Sequence, residues 1–232
     1  MKFKLILLVI VILHLTSCTN LTNSPEFIKT TTGKYLYNSD EIIEVYFEDS
    51  EMFLKWRGAT KISPLKLDKN TFFVKEINEK ISFAKNSETS IQYLEFVPKS
   101  DIDTVKHRFR KLSKFEKIPS EYLNENNFEK ALEGYLAIQK KDSLDKSLNE
   151  KNFNSLGYKA LRNKKIEMAK NIFKINIELY PNSSNVYDSY GDALKVSGDT
   201  LQAIEFYKKS LSLDSGNKSA KKFIKKYDKT IK

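Results

Sequence analysis

The chain has 232 residues, 40% of them hydrophobic, and 40 lysines and arginines against 30 acidic residues give a formal charge of +10. The length allows two small domains. One cysteine excludes an internal disulfide, and two histidines with that cysteine leave too few Cys/His ligands for a zinc site. A chain this basic raises the question of nucleic acid, yet no base-reading or stacking motif accompanies the charge, so nucleic acid is not an expected partner.

Met1-Lys2-Phe3-Lys4 precedes an apolar run from Leu5 to Leu13. A charged start and a short apolar stretch, too short to span a bilayer, form an export signal over residues 1–17. It ends in Leu15-Thr16-Ser17-Cys18, which resembles a bacterial lipobox. That resemblance implies cleavage before Cys18 and lipidation of its thiol. The only cysteine of an exported chain is thereby given a use, and acyl chains would hold the protein at a membrane because each buried methylene contributes about 0.8 kcal/mol. Cleavage there leaves 18–232 and removes Lys2 and Lys4, so the formal charge falls from +10 to +8. Residues 18–28 begin with short polar side chains and are expected to form a flexible tether. Position 19 is threonine rather than the aspartate that holds many lipoproteins at an inner membrane, so the expectation is the outer membrane, facing the periplasm.

Over residues 29–112 the apolar period is two. Ile43, Val45 and Phe47 alternate with Glu44, Tyr46 and Glu48; Met52, Leu54 and Trp56 alternate with Phe53, Lys55 and Arg57. Phe72/Val74, Ile81/Phe83 and Leu94/Phe96 continue the pattern between turns such as Asn38-Ser39-Asp40 and Asp49-Ser50, and Val105–Phe109 supplies a last strand. Short strands at this spacing predict an antiparallel meander, barrel- or sandwich-like. Gly33-Lys34-Tyr35, Thr71-Phe72-Phe73-Val74-Lys75-Glu76-Ile77 and Ile81-Ser82-Phe83-Ala84-Lys85 resemble the small β domain that follows the catalytic domain of bacterial β-lactamase-related serine hydrolases.

Residues 113–232 change to a helical period. Gly157 and Gly191 repeat at an offset of 34, and Phe153/Tyr187, Leu156/Tyr190, Ala169/Ala203 and Phe173/Tyr207 share it. A fixed period of this length marks stacked helix–turn–helix units, and these residues resemble the tetratricopeptide repeat over about 80 residues. Units are expected at 151–184 and 185–218. A degenerate unit at 117–150 is marked by Phe128, Ala131 and Tyr135, which precede Ile166, Ala169 and Phe173 at an offset of 38, with an insertion of four near Asp142–Asp145. Two units alone bury no continuous core, so residues 218–231 are read as a capping helix with Ala220, Phe223, Ile224, Tyr227 and Ile231 on its apolar side. The fold class is therefore α+β: a β meander followed by an all-α array.

No catalytic set stands out. Ser63-Pro64-Leu65-Lys66, Ser82-Phe83-Ala84-Lys85 and Ser143-Leu144-Asp145-Lys146 match the Ser-x-x-Lys of the hydrolases. That chemistry needs the serine at a helix start inside a catalytic domain, and a lysine-rich chain produces such matches by coincidence. His107 reads as a surface residue, and Glu121, Glu125 and Glu129 as an exposed helical row. No metal, cofactor or enzymatic activity is expected.

The resemblance to tetratricopeptide stacks implies a concave face lined by the first helix of each unit. Asn154, Tyr158, Leu161 and Arg162, then Asp188, Asp192 and Lys195, are its outward positions, and they suit a protein or peptide partner. Asp188 and Asp192 argue against binding a C-terminal carboxylate. Lysines 221, 222, 225, 226, 229 and 232 form either a solvated face or one drawn to an anionic membrane. The leading expectation is a non-catalytic lipoprotein that holds a protein partner. The alternatives are an accessory subunit of a separate serine hydrolase and a carrier with a small ligand among Phe72, Phe73, Phe83 and Tyr93.

Overall fold

A computed structural model describes residues 22–100 and 107–227. The export signal, Cys18 and the end of the capping segment lie outside them. The first element is a helix, α1 (Pro25–Thr31), started by the Ser24 side chain, which accepts from Phe27 N, and by proline in the first turn. The tether expected through residue 28 is thus partly folded. The physical reason is Phe27: its ring stacks on Phe72 at 5.8 Å and meets Phe83 edge-on at 5.6 Å, so the helix closes over the β interior.

Among the described residues nine strands follow in two antiparallel sheets. The first holds β1 (Gly33–Asn38), β2 (Glu41–Glu48), β3 (Glu51–Trp56) and β4 (Ala59–Ile62); the second holds β5 (Leu65–Lys66), β6 (Thr71–Val74), β7 (Glu79–Lys85), β8 (Gln92–Phe96) and β9 (Arg108–Arg110). The last strand begins at Arg108, whereas the alternation predicts one over Val105–Phe109. Two hairpins turn on residue pairs with positive φ, Asp49-Ser50 (46° and 67°) and Arg57-Gly58 (49° and 84°). This backbone twist matches that of the paired strands. The sheets join where β9 returns beside β1, through a bridge from Tyr35 to Lys111 and a bond from Leu112 N to the Lys34 carbonyl at 2.8 Å. The meander thus wraps round one interior. Tyr35, Val45, Leu54, Phe72, Val74, Ile81 and Leu94 fill it, each at most 1% exposed. The Tyr35 hydroxyl donates to the Thr31 carbonyl at 2.8 Å, so the buried phenol is satisfied.

The helices are α2 (Pro119–Asn124), α3 (Phe128–Lys141), α4 (Glu150–Arg162), α5 (Ile166–Leu179), α6 (Ser184–Ser197), α7 (Thr200–Leu213) and α8 (Lys218–Tyr227). The pair α4/α5 starts at positions 150 and 166 and the pair α6/α7 at 184 and 200, so the helices keep the period of the sequence. Four-residue connections separate α5 from α6 and α7 from α8, but α3 and α4 are joined by residues 142–149, and the extra length lies where the offset of 38 puts it. Side-chain oxygens of Asn127, Asn149 and Asp199 accept from the backbone amide three residues on. Each satisfies a donor left free at the helix start. Within each pair a glycine admits an aromatic ring: a Cβ on Gly157 would stand 2.4 Å from Phe173, and one on Gly191 would stand 2.9 Å from Tyr207.

Candidate partner-binding groove

The first unit is incomplete, and this shapes the site. With the offset of 38, α2 corresponds only to Gly157–Arg162, the second half of α4. Against the start of α2 stands the β1–β2 turn. Asp40 Oδ1 accepts from Ser120 N at 2.7 Å, and its Oδ2 accepts from the Tyr135 hydroxyl at 2.8 Å. Ser39 Oγ donates to Asp145 Oδ2, and Lys34 pairs with Glu121. A turn of the β domain therefore caps the helix and does what a longer α2 would do. Burial pushes the Asp40 carboxyl above its ordinary value, against the pull of the Ser120 and Tyr135 bonds.

The same arrangement recurs inside the array. Tyr135 and Tyr207 hold equivalent places on α3 and α7, and the Tyr207 hydroxyl donates to Asp192 Oδ1 at 2.7 Å. Tyr158 donates to Asp192 Oδ2 at 2.9 Å, and Lys195 donates to Oδ1 at 2.6 Å. Asp188 Oδ1 accepts from Asn217 at 2.5 Å. The Tyr158 ring also meets Phe173 edge-on at 5.3 Å.

These contacts correct the sequence reading of the groove. Helical spacing makes Tyr158 and Asp192 outward positions open to a partner; in the structure both are partly buried and tie α4, α6 and α7 together. Asp188 and Lys195 are likewise engaged. Asn154 and Leu161 are half-buried and Arg162 is exposed, and the Asn154 Oδ1 is buried with no partner among the described residues. The repeat register holds the signal for the Tyr158–Asp192 bond, since these residues differ by one repeat period and face each other from adjacent units. Asp40 carries no such signal, because its partner Tyr135 lies 95 residues away.

Beside α4, at the β-domain end of the array, a hollow of about 490 Å³ opens, lined by Asp40, Leu123, Tyr135, Asn152, Phe153 and Leu156. Leu156, matched in the repeat by the buried Tyr190, is 38% exposed here, for the shortened α2 does not cover it. On the β side, Phe72 and Phe83 belong to the filled interior, while Phe73 and Tyr93 alternate to the other face.

The Ser-x-x-Lys matches meet no helix start. Ser82 and Lys85 lie three apart on β7 and so on opposite faces. Ser63 follows β4, and Lys66 is bonded to the Thr22 carbonyl and Asn23. Ser143 lies in the α3–α4 connection. Glu121 and Glu125 are paired with Lys34 and Lys117 rather than forming a free row, and His107 is exposed. Among the described residues no group of three or more His, Cys, Asp or Glu is placed to hold a metal ion.

Asp192 gives the first prediction. Burial raises its carboxyl, but the bonds from Lys195, Tyr207 and Tyr158 together outweigh burial and hold it below its ordinary 3.8. A carboxyl depressed in the folded state contributes stability above the unfolded value and loses it as pH falls through the folded one. Asp192→Asn should therefore be less stable than wild type at pH 7, with the gap closing below about pH 4. Urea midpoints across that range check it.

No family model and no curated protein matches the chain. Solved structures do. The first tetratricopeptide domain of Spaghetti (RPAP3), bound to an HSP90 peptide, is 18% identical over 49% of this chain and 86% of its own, with a TM-score of 0.34. A mutant of MamA is 19% identical over 48% and 80%, with a TM-score of 0.38. The Arabidopsis OM64 tetratricopeptide domain is 17% identical over 48% and 89%, with a TM-score of 0.34. What defines the class is this chain's own geometry, the recurring helix pairs with a ring seated on each glycine. The chain is an α+β protein with a β meander and a tetratricopeptide-like array.

Proposed function

We propose that the chain is a non-catalytic, membrane-tethered protein of the bacterial envelope that holds a protein partner along the open side of its helical array. The observation that carries this reading is the uncovered hollow beside α4, where Leu123, Phe153 and Leu156 form an apolar floor between polar walls. A concave site with a few placed polar groups is the usual form of a recognition pocket. The β domain supports the array through Asp40 and closes one end of it.

The test uses the groove and a control surface. A photocrosslinking residue at Asn152, exposed at the edge of the hollow, should capture a protein that one at Glu167, whose side chain is 78% exposed on α5, does not. The captured protein, once purified, should bind wild type and lose at least tenfold in affinity for Leu156→Asp, which places a charge on the apolar floor. Equal capture at both positions, or unchanged affinity for Leu156→Asp, rejects the groove.

The tether rests on Cys18, and what supports it is the run Leu15-Thr16-Ser17-Cys18 with no second thiol. Thr22 and Asn23 are bonded to Lys66, and Asn23 Nδ2 donates to the Ser50 carbonyl. Three residues therefore lie between Cys18 and this anchorage, a Cys18-to-Thr22 span of roughly 14 Å when extended, so the β domain would lie close to the membrane. Among the described residues no helix is long and apolar enough to cross a membrane. Cys18→Ser should move the protein from the detergent phase to the aqueous phase in phase partitioning. Unchanged partitioning rejects the lipid anchor.

A further inference from the structure

Charge is divided unevenly along the array. Between Thr200 and Tyr227 the chain has seven lysines and two acids, Glu205 and Asp214. Five of the lysines are on α8. At 100° per residue Lys218, Lys221, Lys222, Lys225 and Lys226 share an arc of about 140°, and all five are exposed. The opposite side is used for packing: Ala220 is buried, and the Phe223 ring lies 4.9 Å from Tyr207.

The repeat register places part of this arc beside the groove. Lys222 and Lys226 stand one repeat period after Asp188 and Asp192, so on α8 lysines hold the places that acids hold on α6. Asn217 bonded to Asp188, and the Lys195 ammonium 5.9 Å from the centre of the Phe223 ring, join the two helices along that side. The α6 acids are turned to inward bonds: Asp192 is neutralised by Lys195 and also holds Tyr158 and Tyr207, while Asp188 accepts from the Asn217 amide. The balance left for a partner is cationic: Lys222 and Lys226, with Arg162 at the end of α4, are exposed, against the half-buried Asp188.

We infer that the segment held on this face is an acidic one, a stretch of protein rich in aspartate and glutamate. The inference rests on the groove proposed for the partner and names that partner's chemistry. It also weakens the sequence argument that Asp188 and Asp192 repel carboxylates, since Asp192 is paired with Lys195 and Asp188 is half-buried against Asn217. An anionic lipid surface is the weaker match, because the apolar residues of α8 that would enter a bilayer face α7 instead.

The test is fluorescence anisotropy with the detergent-solubilised full-length chain and labelled decapeptides alternating serine with glutamate, glutamine or lysine. The glutamate peptide should bind at least tenfold more tightly than the glutamine peptide, and added salt should weaken it. Lys222→Glu/Lys226→Glu should abolish this preference, while Lys69→Glu/Lys80→Glu on the exposed β surface, with the same change in net charge, should keep it. Equal binding of the glutamate and glutamine peptides, or equal loss in both double variants, overturns the inference. So does binding to phosphatidylglycerol vesicles, lost in the α8 variant, with no peptide binding. If crosslinking at Asn152 still captures its protein while the glutamate peptide fails, the acidic assignment falls and the groove stands.

Discussion

Gly157→Ala is expected to lower the stability of the helical array by about 1–3 kcal/mol, the usual cost of forcing a methyl into a packed contact. The added Cβ would lie 2.4, 2.5 and 2.8 Å from three ring atoms of Phe173. That ring is fully buried, and Tyr158 packs on its edge, so it has little room to move. Alanine's better helix propensity returns at most about 1 kcal/mol, too little to cancel the clash. Gly191→Ala should cost less, because its Cβ meets Tyr207 at 2.9–3.2 Å, where a small shift of the ring relieves the contact. Urea unfolding followed by far-ultraviolet circular dichroism gives both values. If the Gly191 variant is the less stable of the two, ring proximity does not rank the contacts.

The second large effect is expected at the domain junction. Asp40→Ala leaves the Tyr135 hydroxyl and the Ser120 amide without their acceptor. Tyr135 is 3% exposed, and an unpaired buried polar group costs about 1–3 kcal/mol. The loss should fall mainly on the array, whose first helix is capped from the β domain. The single tryptophan, Trp56, lies in the β domain. Its fluorescence therefore reports one domain, while circular dichroism at a helical wavelength reports the other. In wild type the two signals should change together. In Asp40→Ala the helical signal should fall first. Asp40→Asn should be milder, because the amide keeps an acceptor for Ser120. Coincident transitions in Asp40→Ala would show that the junction bonds do not couple the domains.

Much of the architecture is legible because it is written in local periods. Alternation through Ile43–Val45 and Met52–Trp56 marks strands, since neighbouring residues on a strand face opposite sides. The repeat offset of 34 marks α4 to α7 and the glycine–aromatic contacts within each pair. Even the insertion before α4 can be counted from Tyr135 to Phe173. Each of these signals depends only on which residues share a face.

The site is less legible. Tyr158 and Asp192 are recognisable as groove positions, but sequence spacing says which way a side chain leaves its helix, not whether a partner from the next unit meets it. In the sequence Asp40 stands only as part of a turn. Its role depends on the meander wrapping until β9 lies beside β1, which brings the β1–β2 turn to the start of α2. Leu156 looks like a core residue by its match to Tyr190, and it is uncovered because α2 is too short to reach it. Residue pattern by itself determined the two kinds of layer, the repeat and the cap. Tertiary structure decided which groove charges are engaged and where the apolar floor is open, because most of those hydrogen bonds and the burial depend on residues brought together from 15 to 95 positions apart.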